Sequence, residues 1–292
     1  MEKPTSPPAV ASASPSARRP RTSRWRAIAL LHPGPSLLVT ASLVAAAGAA
    51  RHAVPGPGES LRLAATMLPI QLAIGALNDL CDQGLDRSAG RRTKPLVSGA
   101  VRPRTAVLVT VLGFGVGLGT AATLPLPAPP LAAVAALAGA GYDLGLKRVA
   151  LSWVPWWAGF TALPLLGWAA AGVPLGRPAA AVPGLTLGLA LSLQLANALP
   201  DIAGDRSGGS SGLGVRLGPR WSRRASLGLA TLTAAVALSL SPILGQAPWL
   251  VGAGVAPLMA GSLLLAMRPH IRPFPVLAAG AGVMATLWLV AL

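Results

Sequence analysis

The chain has 292 residues, of which 53% are hydrophobic and 11% are charged, and its mean hydropathy is +0.61. Soluble domains carry roughly 25% charged residues, so this composition excludes an ordinary soluble domain. The formal net charge of +16 would suit a nucleic-acid-binding protein, but the positions of the basic residues argue against nucleic acid as a partner. The single cysteine, Cys81, excludes an internal disulfide and a cysteine-ligated metal cluster.

Residues 1–26 are rich in proline, serine, alanine and arginine, a composition that cannot bury a core, and we expect a disordered cytoplasmic tail. The next apolar stretch, about residues 27–50, is longer than the hydrophobic part of a signal peptide and has no clear cleavage site. It is predicted to be the first membrane helix of a single membrane domain, residues 27–292.

Apolar runs close to the roughly 20 residues that cross a bilayer recur along the chain. They predict an all-α membrane protein with about nine transmembrane helices. Four glycines alternate in the third run, at positions 113, 115, 117 and 119, and favour close helix packing. The predicted spans are residues 27–50, 61–80, 104–123, 126–143, 151–171, 182–200, 224–241, 247–267 and 272–291.

The basic residues fix the predicted orientation. With the N-terminus in the cytoplasm, 21 of the 24 lysines and arginines fall in the tail or in cytoplasmic loops. Such an excess is what the positive-inside rule requires, and it accounts for most of the net charge without nucleic acid. The three basic residues on the other side are Arg51, Arg62 and Arg177.

Five of the eight acidic residues lie in two copies of one pattern, N-x-x-x-D-x-x-x-D-R-S-x-G. The first copy starts at position 78 and the second at position 197, so every matching residue is offset by 119. Both copies lie at predicted cytoplasmic ends of spans. An even number of spans separates them, which indicates an internal duplication with a parallel pseudo-axis.

Residues four apart lie on one helical face, so the asparagine and the last two aspartates of each copy form a polar stripe if the helix continues. Carboxylates this close repel, and a divalent cation removes that penalty. Mg²⁺ prefers oxygen ligands and uses one or two carboxylates plus substrate phosphates, so two facing stripes predict Mg²⁺ around a diphosphate. The alternative is helix-end acids balanced by neighbouring arginines. The candidate metal ligands are Asn78, Asp79, Asp82, Asp86, Asn197, Asp201 and Asp205.

Basic residues follow the first acidic motif and the fourth span on the same predicted face. They suit phosphate oxygens that a metal leaves exposed. The alternative is that they are ordinary positive-inside anchors. The candidate diphosphate ligands are Arg91, Lys94, Lys147 and Arg148.

The motif set resembles the UbiA superfamily of intramembrane prenyltransferases. The resemblance rests on N-D-x-x-D-x-x-x-D at 78–86, D-x-x-x-D at 201–205, the stretch R-T-K-P-L-V-S-G at 92–99 and Y-D-L-G-L-K-R at 142–148. It covers about residues 27–292 and implies helices around a central chamber that opens sideways to lipid. It also implies Mg²⁺-dependent departure of diphosphate from a polyprenyl diphosphate, with Asp82, Asp201 and Tyr142 as candidate catalytic residues. Tyr142, the only tyrosine of the chain, either hydrogen-bonds the diphosphate or the acceptor, or anchors the helix at the membrane interface.

The resemblance implies that the resulting allylic cation alkylates a hydrophobic acceptor, which is aromatic, a quinone precursor or a membrane lipid. Two alternatives stay open: an intramembrane terpene cyclase with the same fold, and an ion- or metabolite-coupled transporter. Trp153, Trp156, Trp157 and Trp168 are expected to pack or to anchor at the interface, or else to line the chamber. His32, His52 and His270 lie at span ends without partners and are interpreted as structural.

Overall fold

The computed structural model describes residues 27–291, apart from the side chains of residues 177 and 178. The predicted tail, residues 1–26, therefore lies outside the described residues. Within the described range the chain forms helices and no strand, which confirms the all-α class. The ten α-helices are α1 (Pro33–Arg51), α2 (Pro57–Ser88), α3 (Pro103–Ala121), α4 (Ala128–Leu144), α5 (Trp153–Ala170), α6 (Arg177–Ala198), α7 (Ile202–Ser207), α8 (Leu213–Leu240), α9 (Pro248–Met267) and α10 (Pro273–Val290).

Prolines mark where several helices begin. Pro33, Pro57, Pro103, Pro248 and Pro273 are each the first residue of a helix. A proline is well suited to that position, because the first helical N–H has no intrahelical acceptor and the ring already holds φ near the helical value. The prolines that divide the sequence into apolar runs therefore also set the helix starts.

Nine of the ten helices are long, and each overlaps one predicted span. Six stretches are long and apolar enough to cross a membrane: Ala29–Arg51, Pro57–Ser88, Pro103–Ala121, Ala179–Ala198, Pro248–Met267 and Pro273–Val290. The protein is thus an integral membrane protein by composition and helix length. A total of nine transmembrane spans stays a prediction.

A small hydrophobic cluster packs Leu30, Leu96 and Val101 against α2 and α3, and two larger hydrophobic cores hold the helices together. One combines residues of α6, α8, α9 and α10, and the other combines residues of α2, α3 and α4. Helices α1 and α5 contribute to both: Ala46 and Trp168 pack in the first core, whereas Leu43 and Leu166 pack in the second. These two helices therefore join the N-terminal helices to the C-terminal ones.

Two helices extend beyond their predicted spans, and both extensions are polar. Helix α2 continues past residue 80 to Ser88, and α8 begins at Leu213 instead of near residue 224. Hydropathy finds where a helix leaves the apolar layer, but a helix continues wherever its backbone hydrogen bonds are made. Helix α8 is kinked at Gly218, which has a φ of 74° and precedes Pro219.

Candidate active site

The first acidic motif lies on the last turns of α2, beyond its apolar part. In an α-helix each residue turns by about 100°, so residues four apart drift by about 40°. Asn78 and Asp82 therefore face one direction, while Asp86 has turned towards the direction of Asp79. Asp79 and Asp86 are buried, at 2% and 3% exposure, and Asp82 is half-buried. The motif thus presents two neighbouring acidic groups instead of one straight stripe.

Lys147 binds the group formed by Asn78 and Asp82. It lies in a short 3₁₀ helix, Leu146–Arg148, directly after α4. Its Nζ lies 2.7 Å from Asp82 Oδ1 and donates hydrogen bonds to Asp82 Oδ2 at 2.8 Å and Asn78 Oδ1 at 3.1 Å. Asp143 Oδ1, from the end of α4, lies 3.5 Å from the same Nζ. One ammonium group therefore links α2 to the end of α4.

Lys94 binds the group formed by Asp79 and Asp86. Its Nζ donates to Asp79 Oδ1 at 2.6 Å and lies 3.9 Å from Asp86 Oδ2. Asp79 Oδ1 also lies 3.2 Å from His32 Nε2. The expectation that His32 lacks a partner is therefore wrong: the sequence separates His32 from Asp79 by a whole helical hairpin, and only packing of α1 on α2 brings them together.

Glycine makes room for this histidine. His32 has a φ of 43° and sits directly before α1, where it packs on Gly75 of α2. A Cβ added at Gly75 would lie 3.0 Å from His32 Cδ2, so a larger residue would push the imidazole away from Asp79. Gly75 and His32 are thus functional-site neighbours that no motif revealed.

The second acidic motif does not continue one helix. Helix α6 ends at Ala198, and α7 starts at Ile202 with Asp201 as its N-cap residue. Pro200 lies at this break, and it has no N–H to donate to the preceding turn. The matching position in the first motif is Cys81, which continues the helix. The single stripe expected for Asn197, Asp201 and Asp205 is therefore broken after Asn197.

Asp201 and Asp205 remain one turn apart, because the Asp205 amide donates to the Asp201 carbonyl at 2.8 Å. Burial raises the pKa of the Asp205 carboxyl, and the nearby carboxylates of Asp201 and Asp82 raise it further. Asn197 and Arg148 are exposed, and within the described part of the chain neither side chain forms a hydrogen bond.

Arg91 joins the two motifs directly. Its guanidinium donates to Asp86 Oδ1 at 3.2 Å and to Asp201 Oδ1 at 2.5 Å. The hydrogen bond to Asp201 raises the pKa of the Arg91 guanidinium above its ordinary value. We call this group the acidic mouth: Asp79, Asp82, Asp86, Asp143, Asp201 and Asp205 with Arg91, Lys94 and Lys147.

Two polar loops hold the Lys147 segment against the second motif. The Ser211 amide donates to the Arg148 carbonyl at 2.8 Å, and the Leu213 amide donates to Ser152 Oγ at 3.2 Å. Buried Gln194, in the middle of an apolar stretch of α6, donates to the same Ser152 oxygen. A glutamine within an apolar helical stretch is the sequence signal that could have revealed this network.

The donors at the acidic mouth have the chemistry that a hard divalent cation needs. All are carboxylate or amide oxygens, and two of them, Asp79 Oδ2 and Asp143 Oδ2, are buried with no hydrogen-bond partner in the described residues. Among those residues no three acidic, histidine or cysteine side chains stand close enough to hold a metal ion as they are. Lysine and arginine occupy the carboxylates, so metal binding requires these bases to change partners.

An aromatic cluster leads from the acidic mouth into the helices. Trp156 makes edge-to-face contacts with Tyr142 at 6.0 Å between ring centroids, with Phe160 at 5.7 Å and with Phe274 at 6.2 Å. Trp157 instead donates its Nε1–H to the Pro183 carbonyl at 2.8 Å.

The other two tryptophans predicted near the chamber lie differently. Trp153 packs on Trp157, and Trp168 is buried in the larger hydrophobic core. Of the four, only Trp156 adjoins Tyr142.

Several solved structures are similar to this chain. A UbiA homologue from Archaeoglobus fulgidus bound to GPP and Mg²⁺ superposes with a TM-score of 0.71 at 16% identity, covering 91% of this chain and 100% of that one. A UbiA homologue from Aeropyrum pernix K1 gives 0.66 at 20% identity, with 86% and 96% covered. A digeranylgeranylglyceryl phosphate synthase gives 0.69 at 16% identity, with 92% and 98% covered. At these identities the likeness shows the fold.

No curated protein sequence matches the chain. The model of the UbiA prenyltransferase family, however, matches residues 37–291, which include every helix from the middle of α1 to the end of α10. The match spans both acidic motifs and the segment that carries Lys147. The chain therefore belongs to the UbiA prenyltransferase family.

Proposed function

We propose that the protein transfers a prenyl group from a polyprenyl diphosphate to a hydrophobic acceptor inside the membrane, with Mg²⁺ as cofactor. The observation that carries the proposal is the convergence of both acidic motifs on one guanidinium, that of Arg91. Six carboxylates meet three basic side chains at a single end of the helices. A site of this composition is suited to a metal-bound diphosphate. The A. fulgidus homologue bound to GPP and Mg²⁺ supports the same assignment.

The metal ligands of this proposal are the oxygens that the sequence motifs supply. Asp82 and Asp201 are partly exposed, whereas Asp79 is buried and offers only its unpartnered Oδ2. When bound, Mg²⁺ supplies positive charge that stabilises the departing diphosphate. The remaining ligands in the proposal are Asn78, Asp86, Asn197 and Asp205.

The basic side chains exchange partners in this proposal. In the structure Arg91, Lys94 and Lys147 pair with carboxylates. With those carboxylates holding Mg²⁺, the three bases would be available to bind diphosphate oxygens together with exposed Arg148. Charged hydrogen-bond donors fixed at a leaving group stabilise the charge that develops on it.

In the reaction the allylic carbon–oxygen bond breaks and its electron pair leaves with the diphosphate. A nucleophilic atom of the acceptor then supplies the pair for the new bond and loses its proton. In this proposal Tyr142 hydrogen-bonds the diphosphate or the acceptor. The aromatic faces around Trp156 and the apolar helices provide the dry surroundings that an allylic cation needs.

The architecture that we propose has nine membrane spans around a chamber open to lipid, built as a parallel repeat within residues 27–292. The N-terminus and the acidic mouth face the cytoplasm. The strong bias of basic residues to this side supports that orientation. Acids at one end of the helices, instead of at the bilayer midplane, favour phosphate chemistry over transport.

A direct assay tests the proposal. The protein purified in detergent is incubated with prenyl diphosphates of several lengths, with and without aromatic, quinone-precursor and lipid acceptors. We expect one prenylated acceptor for each diphosphate released, loss of turnover in EDTA, and recovery on adding Mg²⁺. Formation of a cyclic hydrocarbon without an acceptor would show that the protein is a cyclase and not a transferase. Full turnover in excess chelator would overturn the metal requirement.

A further inference from the structure

Asp143 lies in the acidic mouth but belongs to neither acidic motif. Its side chain is 3% exposed, and its Oδ1 lies 3.5 Å from Lys147 Nζ. Its other oxygen, Oδ2, is buried without a hydrogen-bond partner in the described residues. Isolating a carboxylate oxygen in this way is costly, so packing alone does not explain an aspartate here.

The three residues whose oxygens contact the Lys147 ammonium come from two different helices. Asn78 and Asp82 belong to α2, whereas Asp143 precedes Lys147 by four residues, at the end of α4. A metal that binds Asn78 and Asp82 removes two of the three partners and brings a second positive charge close to the ammonium. Like charges at a few ångströms repel strongly where water is scarce. Asp143 is then the one partner that remains with Lys147.

We propose that Asp143 is a positioning residue that holds the Lys147 ammonium at the acidic mouth after the metal has taken Asn78 and Asp82. Its carboxylate offsets the charge of the ammonium and keeps the side chain directed at the diphosphate. The inference rests on the proposed function, because it concerns how the same site binds a prenyl diphosphate. It adds a residue outside both motifs to the determinants of diphosphate affinity.

The test measures equilibrium binding of a non-hydrolysable prenyl thiolodiphosphate to detergent-purified protein at saturating Mg²⁺. The variants are Asp143→Asn, Lys147→Gln and the double variant. We expect each single change to weaken binding by roughly tenfold or more, the scale of one hydrogen bond to a charged group. The double variant should bind no worse than Lys147→Gln alone, because Asp143 acts through Lys147.

Glu59→Gln is the matched control. Glu59 is also an acid paired with a base, Arg51 at 2.7 Å, and it also has one buried oxygen without a partner. It lies in the first turn of α2, at the opposite end of that helix from the first motif. We expect its loss to leave probe binding unchanged. If Asp143→Asn prevents folding, Asp143→Ser is the second variant.

Three results would overturn the inference. Equal weakening by Asp143→Asn in the parent and in the Lys147→Gln background would make Asp143 a general structural residue. An altered Mg²⁺ requirement with unchanged probe affinity at saturating Mg²⁺ would make it a metal ligand. A parent protein that fails to bind the probe would overturn both proposals. A parent that binds the probe but turns over no prenyl diphosphate would overturn the proposed function alone, and the variants would still decide the role of Asp143.

Discussion

At the scale of single residues, three basic side chains of the protein itself pair with five of the six acids of the acidic mouth, all except Asp205. Lys94 and Lys147 divide the acids of the first motif between them, and Arg91 reaches the second motif. The repulsion between carboxylates that suggested a metal is therefore met first by side-chain cations. A buried carboxylate without any partner would be strongly destabilising, so each base also has a structural role.

Asp82 and Asp201 occupy matching positions in the two motifs, so we expect similar consequences when each is changed to alanine. Loss of a group that stabilises the transition state costs roughly 10²–10³ in rate. Turnover of Asp82→Ala and Asp201→Ala should fall by at least this factor in the product assay, with the amount of folded protein in the membrane unchanged. Near-parental turnover in either variant would show that the motifs do not form one paired site.

His32 and His52 make a matched pair for testing the contact with Asp79. Both have a positive φ, so His→Ala adds the same backbone strain at each. His32 contacts Asp79, whereas His52 is exposed and its side chain forms no hydrogen bond within the described residues. We expect His32→Ala to cost about 1 kcal/mol more than His52→Ala in the free energy of unfolding, the usual value of one hydrogen bond. An equal decrease of the thermal midpoint in both variants, measured in detergent, would show that the His32–Asp79 contact does not stabilise the fold.

At the scale of helices, the alternating glycines of α3 are divided between two faces. A Cβ added at Gly113 would lie 2.5 Å from the Pro69 carbonyl oxygen, and one at Gly117 would lie 2.7 Å from that of Thr66. Gly115 and Gly119 have nothing within 4 Å. Close packing was predicted for all four, and the structure assigns it to two.

This division gives a prediction with built-in controls. Gly113→Ala and Gly117→Ala should lower the thermal midpoint, because the methyl group meets the backbone of α2 and the helices must separate. Gly115→Ala and Gly119→Ala should leave it unchanged or raise it, since alanine stabilises a helix by about 1 kcal/mol relative to glycine. Four equal shifts would contradict the close approach of α2 and α3.

The sequence predicted the helices well and the local geometry of the site less well. Apolar runs bounded by prolines located the nine long helices, because proline starts and hydropathy act locally. The break at Pro200 was missed because the repeat aligned Pro200 with Cys81 and suggested equal backbones. The contacts of Asp79 with His32 and of Lys147 with Asn78 were missed because they depend on how distant helices pack.

At the scale of the whole molecule, the polar features are concentrated at one end. Both motifs and the Lys147 segment meet there, while Arg51 and Glu59 pair at the other end of α2. Two hydrophobic cores joined by α1 and α5 hold this arrangement. The motif spacing was enough to identify the family, since the chemistry constrains those residues more than it constrains the packing.

The tail is expected to be dispensable for the reaction. We predict that deletion of residues 1–20, which keeps Arg21, Arg24 and Arg26, leaves turnover per folded molecule unchanged. The retained arginines preserve the positive charge next to the first span and therefore its orientation. The product assay on purified protein checks this, and protease accessibility in sealed vesicles serves as the control for orientation. A selective loss of turnover would show that the tail takes part in the site.

The ion pairs of the acidic mouth also bear on biogenesis. A newly inserted chain whose acids waited for a metal would depend on metal supply to mature. Here every acid of the mouth except Asp205 is already paired with Arg91, Lys94 or Lys147, so we expect the helices to assemble before a metal binds. We therefore expect the protein to accumulate in normal amounts in metal-starved cells. It should be folded but inactive there, and adding Mg²⁺ should restore its activity.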